Sequence, residues 1–343
     1  SHQGVKLHFE DEVINAIMNI TPKSKQAIIS NVRTINVLQN TKGALVAGGD
    51  AIKSDAQMIA INEAARLRDN LVGSLNPSFK PVAGDWSVWT NGQITIGEVD
   101  ATSSASKQEL DAQTLSLGFD KPTENDGLLG YVLSIGQSDT DIGTSTTNVK
   151  SDNYALSSYG VFKQDNGTTL EALAGLGHLK FDTIRKDGAN TLTGKRNATQ
   201  IFGSIVLRSK TIEHNNWSFS PYGKTTLTHT KLKRFSETGA ITALTYQQQN
   251  INEAKVFVGA DMNYLVSINN GTIKPFAKIE YGVDVSDGSD AIMNYNAVTN
   301  TNYTLNLEKK ATSNWSLDLG ANLITKDGWN SSVAYRREEN INA

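Results

Sequence analysis

Thr272–Val285 reads TIKPFAKIEYGVDV, and its alternation decides the fold. Ile273, Pro275, Ala277, Ile279, Tyr281, Val283 and Val285 take every second position. Lys274, Lys278, Glu280 and Asp284 fall between them. Successive side chains of a strand point to opposite faces, so one face here is apolar throughout and the other is charged. The alternation recurs from Gly84 onward, with turn signals between the repeats. Strands that are greasy on one side and wet on the other, repeated this often, predict an antiparallel transmembrane β-barrel.

Composition is consistent with that reading. Hydrophobic residues are 38% of 343, and mean hydropathy is −0.35. No run approaches the roughly 18 apolar residues of a membrane helix. Barrels escape such a test because half of each strand is polar. The net charge of −3 gives no electrostatic case for nucleic acid. The chain has no cysteine, which excludes disulfide frameworks, zinc-thiolate sites and cysteine nucleophiles.

Composition changes near Pro77–Gly84. Upstream, Val13, Ile14, Ile17 and Met18 lie at helical spacing, and Ala27, Ile28, Val32, Ile35 and Leu38 continue a second stripe. Gly43, Gly48 and Gly49 are expected to break it. A further helix is predicted over Ala51–Leu75, with Ala56, Ala60, Glu63, Arg66, Arg68 and Asp69 on its surface. A helix that is small or charged on most sides suits a wet cavity or a solvated linker. At 1.5 Å per residue it would span roughly 37 Å, enough to thread a bilayer-sized pore.

Downstream, strands are expected near 86–98, 110–120, 127–138, 149–164, 168–183, 197–211, 216–231, 252–267, 272–285, 313–325 and 328–339. Asn125-Asp126-Gly127, Asp165-Asn166-Gly167, Asn269-Asn270-Gly271 and Lys326-Asp327-Gly328 are tight hairpin signals. Between them lie polar stretches read as long loops: Asp100–Glu109, Asp139–Asn148, Arg185–Arg196, Lys233–Asn250 and Ser286–Thr312. Short turns at one end and long loops at the other describe outer-membrane barrels, with the short turns periplasmic. Trp86, Trp217 and Trp329 then mark the periplasmic interface and Trp315 the outer rim. Lys274, Lys278, Glu280 and Asp284 face inward, either as a working pore lining or as ordinary polar filling.

A mostly helical stretch before Trp86-Ser87-Val88-Trp89, Phe235-Ser236-Glu237-Thr238-Gly239-Ala240 leading to Leu244-Thr245-Tyr246-Gln247, Ile273-Lys274-Pro275-Phe276-Ala277-Lys278 and Asp327-Gly328-Trp329-Asn330-Ser331 together resemble one family. It is the translocator β-domain of classical autotransporters, the type V secretion proteins of Gram-negative bacteria. The resemblance runs from about Asp50 onward. It implies a twelve-stranded barrel with a pore helix that joins a secreted N-terminal passenger to the first strand. It also implies insertion by the outer-membrane barrel assembly machinery, contact with outer-membrane lipid, and display of the passenger at the cell surface.

On this reading residues 1–50 end the passenger, 51–84 form the pore helix and linker, and 85–343 form the barrel, its final strand expected to be missing. The eleven predicted strands and the Asn342-Ala343 ending motivate that last point. Some members cut themselves between two pore asparagines. Here Asn62 precedes Glu63 and Asn70 precedes Leu71, so that activity is not transferred. A porin plugged by an N-terminal helix is the alternative function. A soluble all-β adhesin is disfavoured by the charged second faces.

No GxSxG elbow, HExxH or phosphate loop is present. Gly175-Leu176-Gly177 lacks the third glycine of a dinucleotide loop. Asp284, Asp287, Gly288 and Asp290 match calcium-loop spacing only loosely. The expectation is a protein with no catalytic residues, no metal and no cofactor.

Overall fold

The computed structural model describes residues 44–49, 51–53, 84–101, 103, 105–124, 127–144, 146–286, 288–307, 313–326 and 330–341. Seventeen strands are assigned within them. They are β1 (Ser87–Val99), β2 (Gln108–Thr123), β3 (Gly127–Ile142), β4 (Thr147–Lys163), β5 (Thr169–Asp187) and β6 (Asn190–Arg208). There follow β7 (Ile212–His214), β8 (Trp217–Leu232), β9 (Phe235–Ser236), β10 (Leu244–Tyr246) and β11 (Gln249–Tyr264). The last are β12 (Val266–Ile268), β13 (Gly271–Asp284), β14 (Ser289–Tyr295), β15 (Tyr303–Leu307), β16 (Ser313–Thr325) and β17 (Asn330–Ile341).

Eleven long strands pair antiparallel in the order β1-β2-β3-β4-β5-β6-β8-β11-β13-β16-β17. They correspond one for one to the strands read from alternation. Among the described residues β1 pairs only with β2, and β17 only with β16. A second, four-stranded sheet runs β15-β14-β10-β9.

The two faces of the large sheet meet different surroundings. Outward residues such as Leu133, Leu156, Leu176, Ile201, Leu227 and Val258 are exposed. A continuous apolar surface of this kind would drive aggregation in water. In a bilayer it is the solvated face. The inward face holds Ser116, Ser134, Ser138, Ser151, Gln200 and Thr230, all buried. Ser116 meets Ser134 and Ser138 meets Ser151, each at 2.7 Å, and Gln200 donates to Thr230 at 2.8 Å. A dry core would not be built from these groups, because each needs a polar partner.

Inward aromatics lie flat over glycines on the neighbouring strand. A Cβ on Gly118 would overlap the Trp89 indole, and one on Gly130 would overlap the Tyr159 ring. The two rings are joined. Trp89 Nε1 donates to Tyr159 Oη at 3.0 Å, and Tyr159 Oη donates to Asp120 at 2.6 Å. The chain β1 to β4 is thereby pinned across its inner face.

Several expected loops are strands. β3 and β4 run to Ile142 and from Thr147, so Asp139–Asn148 is largely paired. β5 and β6 continue to Asp187 and from Asn190, so Arg185–Arg196 is a long ribbon closed by a two-residue turn at Gly188-Ala189. Gly188 there has φ +57°. A strand of about 9–11 residues crosses a bilayer, and β5 and β6 have 19 each. Their polar outward faces begin where the strand leaves the lipid, not where it ends. Lys233–Asn250 and Ser286–Thr312, also read as loops, contain β9, β10, β14 and β15. Runs this short carry too little alternation to register.

Gly48 and Gly49 do not break the chain as expected, and Gly43 lies outside the described residues. Residues 44–49 and 51–53 are helical, so Gly48 and Gly49 lie in a helix. Close approach explains Gly49. A Cβ there would sit 2.7 Å from Leu307 Cδ2. Of the predicted Ala51–Leu75 helix, only 51–53 fall among the described residues.

Candidate functional site: the lumen

The helical residues lie inside the sheet, at the end carrying the long connections. Leu45, Val46, Ala47, Ala51 and Ile52 are buried, Ala47 completely. Val46, Ala47, Ala51 and Ile52 join a core that includes Ile142, Val149, Leu179, Phe181, Leu232 and Ile251 from five strands. Leu45 instead packs into the four-stranded sheet, against Leu244, Ala291, Met293 and Tyr295. One short helix therefore supplies part of the core for both sheets. The space left beside it is a cavity of about 60 Å³. That holds a few waters at most. Lys53 Nζ reaches Glu253 at 3.4 Å, both largely buried.

The four-stranded sheet is anchored to the barrel wall by two arginines. Arg185 donates to both oxygens of Glu237, at 2.9 and 2.5 Å, and to Thr242 O at 3.0 Å. Glu237 also accepts the Leu244 amide at 3.0 Å. Arg196 donates to Lys233 O at 2.8 Å and Gln247 O at 2.9 Å. Its guanidinium lies 5.4 Å from the centre of Phe235, which stacks on Tyr246 at 4.7 Å. Arginine fits both sites because its planar fork binds two acceptors at once and stacks on rings. Burial raises the Tyr246 phenol first, with Glu237 adding to it. Burial likewise pushes Tyr295 up to about 12.

The opposite half of the lumen is charged. Arg208 bonds Glu171 at 2.8 Å and Asp261 at 2.5 Å, and lies 4.6 Å from the Tyr222 ring centre. Glu280 collects Tyr222 Oη at 2.8 Å, Lys224 at 2.5 Å, Lys278 at 3.3 Å and Arg336 at 3.9 Å. Asp318 takes Lys278 at 4.0 Å and Arg336 at 3.4 Å. Strand register brings these groups together: Lys278 faces Asp318, and Asp318 faces Arg336. The network ties β5, β6, β8, β11, β13, β16 and β17 across the inner face.

Two of the four inward residues named from sequence, Lys278 and Glu280, stand in this network. Lys274 is half-buried on the same face. Asp284 lies beyond, at the strand end, accepting the Ser286 amide at 2.9 Å. Ala56, Ala60, Glu63, Arg66, Arg68, Asp69 and Trp329 lie outside the described residues. Trp217 is exposed at the short-turn end and packs on Tyr264 at 4.8 Å. Trp86, at the same end, stacks on Tyr131 at 6.4 Å. Trp315, half-buried, is opposite Tyr281 at the other end of the sheet. Sequence reading missed Arg185, Arg196, Arg208, Lys224 and Glu237. Parity along a correctly extended β5 and β6 would have turned both of their outer arginines inward. Glu237 has no such signal, because it follows a strand of only two residues, Phe235–Ser236.

A family model, the autotransporter beta-domain, matches residues 88–336. The chain belongs to that family. It is an outer-membrane barrel whose function is to carry its own passenger to the cell surface. Among solved structures, the translocator domain of autotransporter NalP from Neisseria meningitidis is similar at 17% identity and a TM-score of 0.65, covering 86% of this chain and 94% of that one. The beta domain of the Bordetella autotransporter BrkA is similar at 15% identity and a TM-score of 0.52, covering 75% and 93%. At these identities the likeness is one of fold. No curated protein matches significantly. The autotransporter β-domain is a transport unit.

Proposed function

We propose that the passenger's junction passes down the lumen of this barrel and stays there as a plug. One observation carries the reading. Residues 44–49 and 51–53 are packed inside the long-loop end, while β1 begins at Ser87 beside the short-turn end. The chain between them must cross from one end to the other. The lumen it would follow is charged with both signs, which suits the small and charged face of Ala51–Leu75. Ala56, Ala60, Glu63, Arg66, Arg68 and Asp69 are its candidate surface. Lys274, Lys278, Glu280 and Asp284 are the candidate lining. Each partly solvated pair would hold the plug by about 1 kcal/mol or less, so retention rests on several contacts plus the tether.

The division proposed with it has residues 1–50 as the passenger's end and helical junction, 51–84 as plug and linker, and 85–343 as barrel. The short-turn end faces the periplasm and the loop sheet faces outside. Trp86, Trp217, Trp315 and Trp329 then mark the membrane interfaces. Among the described residues the outer edges of β1 and β17 carry no paired strand, and because an unpaired edge in lipid costs several kcal/mol per group, a twelfth strand between them is part of the proposal. Membership of the family supports, as part of the same proposal, insertion by the barrel assembly machinery. The unit performs no chemical step of its own.

Planar-bilayer conductance tests the plug. The chain without residues 1–83 should conduct severalfold more than the intact chain, with its heat-modifiable gel migration unchanged. Equal conductance would place the junction outside the lumen.

A further inference from the structure

Residues 44–49 and 51–53 lie between two apolar surfaces, and two contacts fix how deep they sit. Leu45 and Gly49 are one turn apart and share the face toward the loop sheet. Ala47 and Ala51, also one turn apart, are buried against the barrel wall on the other side. Gly48 has room for a methyl, since a Cβ there would lie 3.8 Å from Ile142 Cδ1. Gly49 has none. A Cβ there would lie 2.7 and 3.0 Å from the two methyls of Leu307. The second contact is electrostatic. Lys53, one turn on from Gly49, reaches Glu253 at 3.4 Å. The Glu253 side chain is 4% exposed and also accepts from Thr228 at 3.4 Å. A carboxylate so placed is costly once its cation is taken away.

The sequence fits these two contacts at one depth. A slip of one turn toward the loop end, by three or four residues, would put Ile52 or Lys53 beneath Leu307 and Ala56 or Gln57 opposite Glu253. A slip the other way would put Val46 or Leu45 beneath Leu307 and Asp50 or Gly49 opposite Glu253. Every such slip drives a larger side chain into Leu307, and none offers Glu253 a cation. Chain length alone does not fix a depth. Residues 54–86, if extended, would reach far beyond the roughly 30 Å of a bilayer core.

We infer that the loop end of the lumen is a register clamp. It halts the junction at the depth where Gly49 lies beneath Leu307 and Lys53 meets Glu253, and the loop sheet closes over that register. The clamp rests on the reading that the junction travels down the lumen. An extended chain in passage presents neither contact, so the clamp engages when a helix bearing both arrives. Without that helix, Leu244, Met293 and Tyr295 would face a gap about 10 Å wide, so closure of the sheet waits for it.

The test is a cross-link, and the chain has no cysteine to confuse it. A Cβ on Gly49 would lie 3.5 Å from Leu307 Cγ. The two Cβ atoms are then within about 5 Å, close enough for a disulfide after a small shift. The full chain carrying G49C/L307C, in outer membranes treated with a mild oxidant, should cross-link without denaturation. A second variant adds a glycine-serine insert of about six residues within Pro77–Gly84, up to roughly 20 Å of slack. The clamp predicts the same cross-link there. Its loss would show that tether length sets the depth, and would overturn the clamp. K53E and E253K should each slow the cross-link about tenfold, and the K53E/E253K swap should restore it. A swap as slow as the single changes would overturn the part given to the pair. Heat-modifiable migration checks that each variant is folded. The conductance comparison above separates the two readings. Lower conductance of the intact chain with no cross-link sinks the clamp alone, whereas equal conductance sinks the plug and the clamp with it.

Discussion

At the residue scale, the wall is held by contacts that tolerate little change. Trp89 lies where any side chain on Gly118 would be. Gly118→Ala should displace the indole and break its bond to Tyr159. Overpacking of this kind costs typically 1–3 kcal/mol. The measurement is the temperature at which the compact gel band is lost, which should fall. An unchanged temperature would mean that the ring does not bear on the wall. Glu237 is the second such residue. Its pair with Arg185 is almost fully buried. Removing one partner of a buried pair leaves an uncompensated charge and costs about 3–5 kcal/mol. Glu237→Gln should therefore open the loop sheet to protease while β1 to β17 keep their heat-modifiable migration. Simultaneous loss of both would show that the loop sheet and the barrel fold as one unit.

At the scale of elements, the four-stranded sheet is the part most easily loosened. Its tyrosines offer a handle. Tyr295 is raised from the ordinary 10.0 to about 12 by burial, and burial raises Tyr246 as well. A phenol with a raised folded-state value stays protonated when the unfolded form has begun to ionise. The stability it supports is full below pH 10 and falls as pH rises toward 12. Phenolate absorbance and protease sensitivity of this sheet should rise together over that window, with the barrel still compact. Ionisation without loosening would separate the tyrosines from the packing.

Alternation was legible for the eleven long strands because a half-apolar face repeats over many residues in each. It was not legible at Arg185–Arg196, where the strand leaves the lipid and its outward face turns polar while pairing continues. Leu244–Tyr246 is too short for a period to show. Gly48 and Gly49 misled for a different reason. At Gly49 tertiary packing against Leu307 selects the small residue, over the helix propensity that argues against it. The lumenal ion network was half visible. Parity turned Lys278 and Glu280 inward, but their partners Lys224, Asp318 and Arg336 come from other strands, and only register names them.

At the scale of the whole molecule, the two halves of the lumen do different work. The loop end is packed by a helix with an apolar face, capped by a second sheet and tied by the buried Arg185–Glu237 and Lys53–Glu253 pairs. The short-turn end is lined by paired charges that keep the wall wet without leaving bare ions. A lumen of this kind suits a chain that is hydrated during passage and then held at the outer end. The direct test is to fuse a small folded reporter, behind an export signal, ahead of residue 1 and express it in a Gram-negative host. The account predicts that protease added to intact cells digests the reporter while the barrel remains in the outer membrane, folded and heat-modifiable. A reporter protected in the periplasm above a correctly inserted barrel would contradict it.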